Sequence, residues 1–327
     1  MREIAERAQV TKMTVSRALR TPEKVAPETL RRIRLAMGEL NFVPNQVALS
    51  LTARGSRIVP VIVPSLASSI FSDFIEELSH TLDLAGFTPV VGCSSFDVNF
   101  EEKLLFKYLG WQPRGVVLTG AFHTPETRAL CRRAGLAVVQ TWSLPEDPID
   151  IAVGFSNFAA MGEMVASLRR WGYRRIGLGY VDADRNDRTA DRRAGWVAAL
   201  EAAGDVPVDT RTQGAGFGAA GGAEIARGIL SRHPDTDAIA FGSDVLAVGA
   251  VLECQRLGLR VPDDIAITGF GDMGLASIIS PALTTVRLPV RALGRACAET
   301  LIGRMENTYH GPARVDLGFE IVRRESA

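Results

Sequence analysis

The sequence has few of the residues that usually carry catalysis or hold metal ions. Its 327 residues include four cysteines and four histidines. The cysteines lie far apart without a Cys-x-x-Cys pair, the histidines lack metal-ligand spacing, and no Gly-x-Ser-x-Gly elbow occurs. We therefore expect no enzyme, no cofactor and no bound metal. The cysteines are typical of reduced, partly buried small side chains in a cytoplasmic protein.

The sequence also lacks a signal peptide and any apolar run long enough to span a bilayer. These absences predict a protein without a membrane partner. Hydrophobic residues make up 46% and charged residues 23%, which is ordinary for a globular protein. A chain of this length can form a small module and a two-lobed body with a sizeable core.

The overall net charge is zero, but charge is unevenly distributed along the chain. Residues 1–57 contain 11 Lys and Arg against 5 Asp and Glu, and the remainder contains 26 against 32. A basic N-terminal part on an acidic body predicts a polyanionic partner for the N-terminal part alone.

The N-terminal residues have the pattern of two short helices joined by a turn. The first helix has its apolar face within residues 4–8. Thr11 can cap the second helix, whose apolar face is formed by Val15, Ala18 and Leu19. This pattern is typical of a helix-turn-helix, in which the start of the second helix meets base edges in the major groove. The alternative interpretation is a solvated amphipathic helix. The exposed face of the second helix carries Lys12, Met13, Thr14, Ser16 and Arg17.

A third helix is predicted to begin at Pro27, a residue that suits the first turn. Its positions Leu30, Ile33, Met37 and Leu40 recur at helical spacing and are expected to close a three-helix head.

Pro44 is expected to end the third helix. Asn45 can cap a helix of two turns that runs to Ser50 or Leu51, and residues 54–57 form a basic connector. So short a helix is marginal in water without a partner.

From residue 58 onward, buried strands alternate with amphipathic helices. This alternation favours parallel sheets with helices on both faces, and about ten strands fit two sheets better than one. Ligands of such folds bind beyond the carboxyl ends of the strands, which here places a ligand between two lobes. The predicted strands are 58–64, 89–93, 115–119, 137–142, 151–155, 175–181, 238–241 and 266–269. The predicted helices include 71–85, 125–134, 158–171, 190–203, 220–231 and 245–257.

One segment formally satisfies the dinucleotide-binding fingerprint G-x-G-x-x-G, from Gly216 to Gly221. The segment before it is a poor hydrophobic strand, whereas the fingerprint should open a first strand–helix unit. We therefore interpret these glycines as a flexible loop that leads into the helix 220–231.

Three motifs of this chain stand out: VTKMTVSR at 10–17, LNFVPN at 40–45 and LTTV at 283–286. They resemble landmarks of the lactose-repressor family of transcription regulators, which the sequence resembles over essentially its whole length. Further motifs are TKMTVSR at 11–17, PSL at 64–66, DIAVGF at 150–155, LAVGA at 246–250, ECQRLGL at 253–259 and DLGF at 316–319. These resemble the gluconate-repressor branch of that family.

The resemblance implies a small all-α helix-turn-helix head and an α/β body like the periplasmic binding proteins, with two doubly wound parallel-sheet lobes. It divides the chain into a DNA-binding domain at 1–43, a hinge helix and linker at 44–57, and an effector-binding and dimerisation domain at 58–327. The chain is expected to cross between the lobes near 155 and 285.

The resemblance also implies roles for residues that contact DNA. Lys12, Met13 and Arg17 occupy base-contacting positions, since Arg and Lys suit guanine acceptors and Met can pack on a thymine methyl. Leu51 matches a hinge leucine that family members insert into the minor groove, and its alternative is a linker residue that packs on the body. The residues expected to position the DNA backbone or to complete this surface are Thr11, Thr14, Ser16, Asn45 and Ala48.

In the body, Arg192 matches the arginine that family members use to hold effector, and an Arg fork suits a carboxylate or vicinal hydroxyls. The other expected effector residues are Ser65, Phe71, Trp142, Ser243 and Asp272. Phe71 and Trp142 could stack on a sugar or belong to the core, and Ser243 could bond a hydroxyl or cap a helix.

The sequence departs from the family at positions that are expected to recognise ligand hydroxyls. Phe270-Gly271-Asp272 stands where many members have Tyr-Asp-Asp, and Ser243 stands where Asn is common. We interpret the nearby Arg185, Arg188 and Arg193 as solvated helix charges.

Together these features predict a transcription repressor that binds a near-palindromic double-stranded DNA operator as a homodimer. Its expected effector is a sugar acid such as gluconate, and its expected targets are carbohydrate-utilisation genes. The alternative is a sugar-binding receptor of the same body fold without a DNA role. The chain has no trailing leucine heptad, so no tetramer is expected, and an upstream segment is expected to precede Met1.

Overall fold

The computed structural model describes residues 1–20, 24–42, 56–67, 69–181, 186–205, 207 and 216–327. Three of the predicted DNA-binding residues, Asn45, Ala48 and Leu51, lie outside the described residues, as does most of the predicted hinge.

The head is a bundle of three helices, α1 (Arg2–Arg7), α2 (Lys12–Arg20) and α3 (Pro27–Glu39). Thr11 caps α2 as predicted, because its Oγ1 accepts a hydrogen bond of 3.1 Å from the Thr14 amide. One expectation is wrong: α3 ends at Glu39, and Leu40 is 38% exposed instead of closing the core. The small core of the head is formed by Ile4, Ala5, Ala8, Val15, Ala18, Ile33 and Ala36.

Among the described residues, the sheet of the first lobe has six strands, all parallel, in the order β10-β5-β4-β3-β1-β2. Its central strands β1 and β3 are buried except at Ile58, which their apolar sequences allow. The strands are β1 (Ile58–Val63), β2 (Thr88–Cys93), β3 (Gly115–Thr119), β4 (Ala137–Thr141), β5 (Ile151–Gly154) and β10 (Arg314–Asp316). The helices of this lobe are α4 (Ser69–Leu84), α5 (Val98–Leu109), α6 (Pro125–Arg133) and α11 (Val290–Glu306).

The second lobe has a five-stranded sheet in the order β11-β9-β8-β7-β6, and β11 alone runs antiparallel among its described strands. The strands are β6 (Ile176–Gly179), β7 (Ala238–Phe241), β8 (Ala266–Gly271), β9 (Thr284–Arg287) and β11 (Glu320–Val322). The helices are α7 (Asn157–Arg170), α8 (Asp187–Ala202), α9 (Ala219–Arg232) and α10 (Asp244–Arg256). The predicted class of two helix-covered parallel sheets beside a helical head is confirmed, apart from the direction of β11.

The chain passes between the two sheets at three places. It leaves the first sheet after β5, returns to it after β9, and passes once more between β10 and β11 at residues 317–319. The sequence predicted no third passage, because strands of three residues have too little periodicity to be recognised.

Helices α9 and α10 approach each other closely through glycines. A Cβ atom at Gly249 would lie 1.8 Å from the carbonyl oxygen of Ala219, and one at Gly222 would lie 1.9 Å from that of Leu246. A Cβ atom at Gly221 would likewise clash with the carbonyl oxygen of Gly216. The glycine-rich segment therefore serves helix packing at the start of α9, which agrees with our rejection of a dinucleotide site.

Candidate effector cavity and DNA-binding helix

Helix α2 presents all three predicted base-contacting side chains to solvent. Lys12, Met13 and Arg17 are exposed, and Met13 is 69% exposed. Thr14 and Ser16 are half-buried behind them. Two cations beside an exposed apolar side chain can meet phosphates, base edges and thymine methyl groups on one face of the helix.

A cavity of about 780 Å³, counting the part open to solvent, lies between the two lobes. The residues that line it follow the carboxyl ends of strands in both sheets, among them Phe71 and Trp142 from the first lobe and Arg192 and Ser243 from the second. This is the position expected for the ligand of two doubly wound sheets. The structure therefore brings together four of the six predicted effector residues.

The first-lobe side of the cavity is aromatic. The ring of Trp142 lies 5.0 Å from that of Phe71, 5.6 Å from that of Phe74 and 6.1 Å from that of Phe155, measured between centroids. The backbone of Trp142 has a φ of +69°, which L residues rarely adopt, and such conformations cluster at functional sites. Asn157 holds this backbone, because its Nδ2 donates to the Trp142 carbonyl at 2.9 Å.

Arg192 lies opposite, on α8. Its Nη1 donates to Oδ1 of Asn157 at 2.7 Å, its Nη2 donates to the Thr189 hydroxyl at 3.2 Å, and its Cζ lies 4.8 Å from the ring centroid of Phe270. Burial and the nearby Arg188 lower the pKa of Arg192 to about 9, so the guanidinium stays charged at neutral pH. Its hydrogen-bond partners among the described residues are neutral, and the nearby Asp187 and Asp191 act on it only through space, so its N–H groups can still bind an anion.

Three buried polar atoms on cavity residues have no hydrogen-bond partner among the described residues. They are the Nε1 of Trp142, the Nε of Arg192 and the Oδ1 of Asn186. Buried polar groups normally find partners, so two donors and one acceptor around one cavity indicate a polar ligand.

Arg188 corrects one interpretation of the sequence. Its side chain is buried, lines the cavity and pairs with Oδ1 of Asp187 at 2.9 Å, so it is not a solvated charge. Arg193 is exposed, as expected, and Arg185 lies outside the described residues.

Ser243 and Ser65 lie at different parts of the lobe interface. Ser243 lines the cavity at the N-cap position of α10, but its side chain makes no capping hydrogen bond. Ser65 lines a neighbouring cavity that shares Phe96, Asn186 and Phe217 with the first. Its Oγ accepts a hydrogen bond of 3.1 Å from the Ala67 amide.

Asp272 is the predicted effector residue that the structure places elsewhere. It is not among the described residues that line either cavity. Its oxygens pair with Arg287 and Arg324 at 2.6 and 2.7 Å, so two arginines compete with ligand hydroxyls for this carboxylate. The resemblance gave the position, but the sequence could not show that two distant arginines neutralise it.

Asn157, Asn186, Thr189 and Arg188 are among the cavity residues that sequence reasoning missed. Asn157 follows the capping Ser156 directly after the buried strand β5, and this place at a strand end is the signal that could have found it. Nothing in the local sequence distinguishes a buried Arg188 from a solvated one.

No helix among the described residues is long and apolar enough to cross a membrane. Within the same residues, no cluster of His, Cys, Asp and Glu is suited to a metal ion.

Fold and cavity together define a two-lobed ligand-binding protein with a helix-turn-helix head. Residues 1–45 match the bacterial regulatory proteins of the lacI family. Residues 165–327 match the periplasmic binding protein-like domain.

Relatives match the chain over nearly its whole length. The HTH-type transcriptional regulator GntR of Escherichia coli K12 is 34% identical over 98% of this chain and 96% of its own. The regulator of the same name in Pseudomonas aeruginosa is 35% identical over 100% of this chain and 95% of its own. The crystal structure of a LacI family transcriptional regulator from Silicibacter pomeroyi superposes with a TM-score of 0.90 at 31% identity, covering 99% of this chain and 98% of that one.

The chain therefore belongs to the lacI family of bacterial regulatory proteins. It is a DNA-binding transcriptional regulator and not an enzyme, and the resemblance to the GntR branch is confirmed. These relatives favour the regulator over the receptor without a DNA role.

Proposed function

We propose that the effector of this regulator is a small sugar acid, gluconate or a close relative or phosphorylated form of it. One observation carries the proposal: Arg188 and Arg192 both line the cavity, whereas no Asp or Glu is among its described lining residues. Asp187 already pairs with Arg188, so Arg192 is the guanidinium left for a ligand carboxylate, which it can bind with two parallel hydrogen bonds.

The rest of the cavity suits a polyhydroxylated carbon chain. Phe71 and Trp142 offer apolar faces to the carbon atoms. The Nε1 of Trp142 and the Oδ1 of Asn186, which have no partner among the described residues, can bond hydroxyls, and so can the Ser243 hydroxyl, which makes no capping hydrogen bond. Ser65 can contact the ligand at the neighbouring cavity.

For the head, we propose that Lys12, Met13 and Arg17 contact base edges of a near-palindromic operator. The hinge at 44–57 connects the head to the body at 58–327, and Leu51 enters the minor groove. The protein acts as a homodimer, because a near-palindromic operator matches a symmetric dimer. It works in the cytoplasm, where it regulates carbohydrate-utilisation genes. The residues proposed to bind or position the DNA backbone are Thr11, Thr14, Ser16, Asn45 and Ala48.

Effector and operator are coupled through the lobes. A ligand that binds one arrangement of the lobes more tightly shifts the hinge equilibrium, and by linkage the operator changes ligand affinity by the same factor. Gluconate titrations with and without operator measure that factor.

Calorimetry with gluconate, glucose and galactose tests the effector proposal. Gluconate should bind best, and Arg192→Lys should lose at least about tenfold in affinity, because Lys cannot bond both carboxylate oxygens in one plane. Arg193→Lys, the exposed neighbour on the same helix, is the matched control and should bind like the parent. Tighter binding of glucose or galactose than of every sugar acid tried would refute the sugar-acid effector but not the DNA-binding role.

A further inference from the structure

The carboxylate of Asp187 connects the two lobes beside the cavity. Asp187 is the first residue of α8 in the second lobe, and it is 4% exposed. Its Oδ2 accepts hydrogen bonds from the Ala121 amide and, at 3.0 Å, from the Ser143 hydroxyl. Ala121 follows β3 and Ser143 follows β4, so both donors belong to the first lobe.

The other oxygen of this carboxylate holds a cavity residue. Oδ1 accepts from Nη1 of Arg188 at 2.9 Å, and Arg188 lines the cavity together with Thr189 and Arg192, which follow on the same helix. One buried carboxylate therefore bonds the first lobe with one oxygen and orients a cavity guanidinium with the other. We call Asp187, Arg188, Ala121 and Ser143 the cross-lobe network.

The first lobe is shaped to receive this network at Gly120. Gly120 has a φ of +94°, which L residues rarely adopt. A Cβ atom there would lie 2.5 Å from Nη1 of Arg188 and 2.8 Å from each oxygen of Asp187. A glycine is thus required both by the backbone and by the ion pair that packs on it.

Buried charges are tolerated when they are paired and hydrogen-bonded, and here the bonds cross from one lobe to the other. Separating the lobes would remove both first-lobe donors from Asp187 at once. The network therefore favours the arrangement of lobes in which Arg188 faces the cavity.

We propose that Asp187 is a positioning residue for effector binding: through Ala121 and Ser143 it joins the lobes, and through Arg188 it fixes a second guanidinium beside the anion. This rests on the proposed anionic effector. The network increases the fraction of ligand-free protein whose cavity is already formed. Less binding free energy is then needed to bring the lobes together, so the apparent affinity for the effector is higher.

The Ala121 amide reports on the network without any ligand. Hydrogen–deuterium exchange of the ligand-free, full-length protein should show this amide protected, and Asp187→Asn should speed its exchange at least about tenfold, as loss of a hydrogen bond to a buried charge predicts. Glu201→Gln changes an exposed acid on the same helix and should leave the exchange as in the parent. Equal exchange of Ala121 in the parent and in Asp187→Asn would overturn the proposal.

Calorimetry with gluconate supplies the second readout. Asp187→Asn should weaken binding about 10- to 100-fold, because Arg188 and the lobes are no longer held. If Asp187 acted only as a negative charge near an anion, its removal would tighten binding, so unchanged or tighter binding also refutes the positioning role.

Ser143→Ala removes a single first-lobe donor and keeps the buried ion pair, so it carries the test where Asp187→Asn fails to fold. It should weaken gluconate binding about two- to tenfold and speed exchange at Ala121. Absence of gluconate binding by the parent protein contradicts the proposed effector, whereas the exchange at Ala121 still decides whether the network joins the lobes.

Discussion

Arg324 binds Asp272 with 2.7 Å between Nη2 and Oδ1, joining the segment after β11 to the end of β8. Arg287, at the end of β9, binds the other oxygen at 2.6 Å. Asp272 therefore connects three neighbouring strands of the second lobe, and its carboxylate is 11% exposed. The sequence predicted a ligand contact for Asp272, whereas these ion pairs support a structural role.

Asp272→Asn should lower the free energy of unfolding by about 1–3 kcal/mol, because two arginines lose a poorly solvated partner. Gluconate affinity should change less than twofold. Urea denaturation and calorimetry measure the two quantities. Asp263→Asn, at an exposed pair with Arg260, is the control and should leave the unfolding free energy close to that of the parent. A tenfold loss of affinity at unchanged stability would restore Asp272 to the ligand site.

Most of the fold could be predicted because the inner strands are buried on both faces and therefore uniformly apolar. The eight predicted strands all occur, as does the alternation with helices. Strand β9 and the edge strands β10 and β11 escaped prediction, since they have only three or four residues each. The two edge strands also include charged side chains such as Arg314 and Glu320. Their position depends on pairing with distant strands, which local sequence does not encode.

The effector site was predicted less completely, because the sequence does not show which charged side chains are buried against distant partners. The resemblance identified Arg192, which lines the cavity, but it also suggested Asp272, whose partners lie at 287 and 324. Asp187 and Arg188 look like ordinary helix-start charges in the sequence. Only the three-dimensional arrangement shows that Gly120, Ala121 and Ser143 close over them.

Asp244 should give the protein an unusual dependence of stability on pH. Burial raises the pKa of its carboxyl to about 6, although hydrogen bonds from the Thr285 hydroxyl and the Met273 amide oppose the shift. A carboxyl with a raised folded pKa favours folding below its unfolded pKa of about 4, and this contribution is lost as pH rises to about 6.

Asp244→Asn removes that titration. The unfolding free energy of the parent relative to the variant should therefore fall by about 2 kcal/mol between pH 4 and pH 6 and stay nearly constant above pH 7. Urea denaturation at several pH values measures the difference. A difference that is constant from pH 4 to 7 would show that Asp244 is ionised throughout.

Gly249→Ala should lower the free energy of unfolding by at least about 2 kcal/mol, because the added Cβ meets the Ala219 carbonyl and backbone cannot move aside as a side chain can. Gly162→Ala, in α7 of the same lobe, is the matched control. Its Cβ would be 3.5 Å from the nearest atom, so it should be neutral or stabilising by up to about 1 kcal/mol. Equal stabilities of the two variants in thermal denaturation would contradict the close helix contact.

Arg17→Ala should relax base preference at one operator position by about 1–3 kcal/mol, as loss of a base contact requires. Competition binding with single-base operator variants measures this. Arg31→Ala removes an exposed arginine of α3 that pairs with Glu28 at 2.7 Å, and it should leave base preference unchanged. If Arg17→Ala weakens all operator variants equally, Arg17 contacts phosphate only.

Leu51→Ala should weaken operator binding and leave gluconate affinity unchanged, since the proposed minor-groove contact is remote from the cavity. Gel-shift titration and calorimetry on the full chain measure the two affinities. Operator binding as tight as that of the parent would leave Leu51 as a linker residue.

The three passages of the chain between the sheets run through neighbouring strands, since β5 pairs with β10 and β9 pairs with β11. Parallel tethers side by side resist twisting and sliding of one lobe on the other, but they allow all three segments to bend together. We therefore expect the lobes to move mainly by changing one opening angle. A distance between labels on the two lobes, followed in solution, would measure that opening.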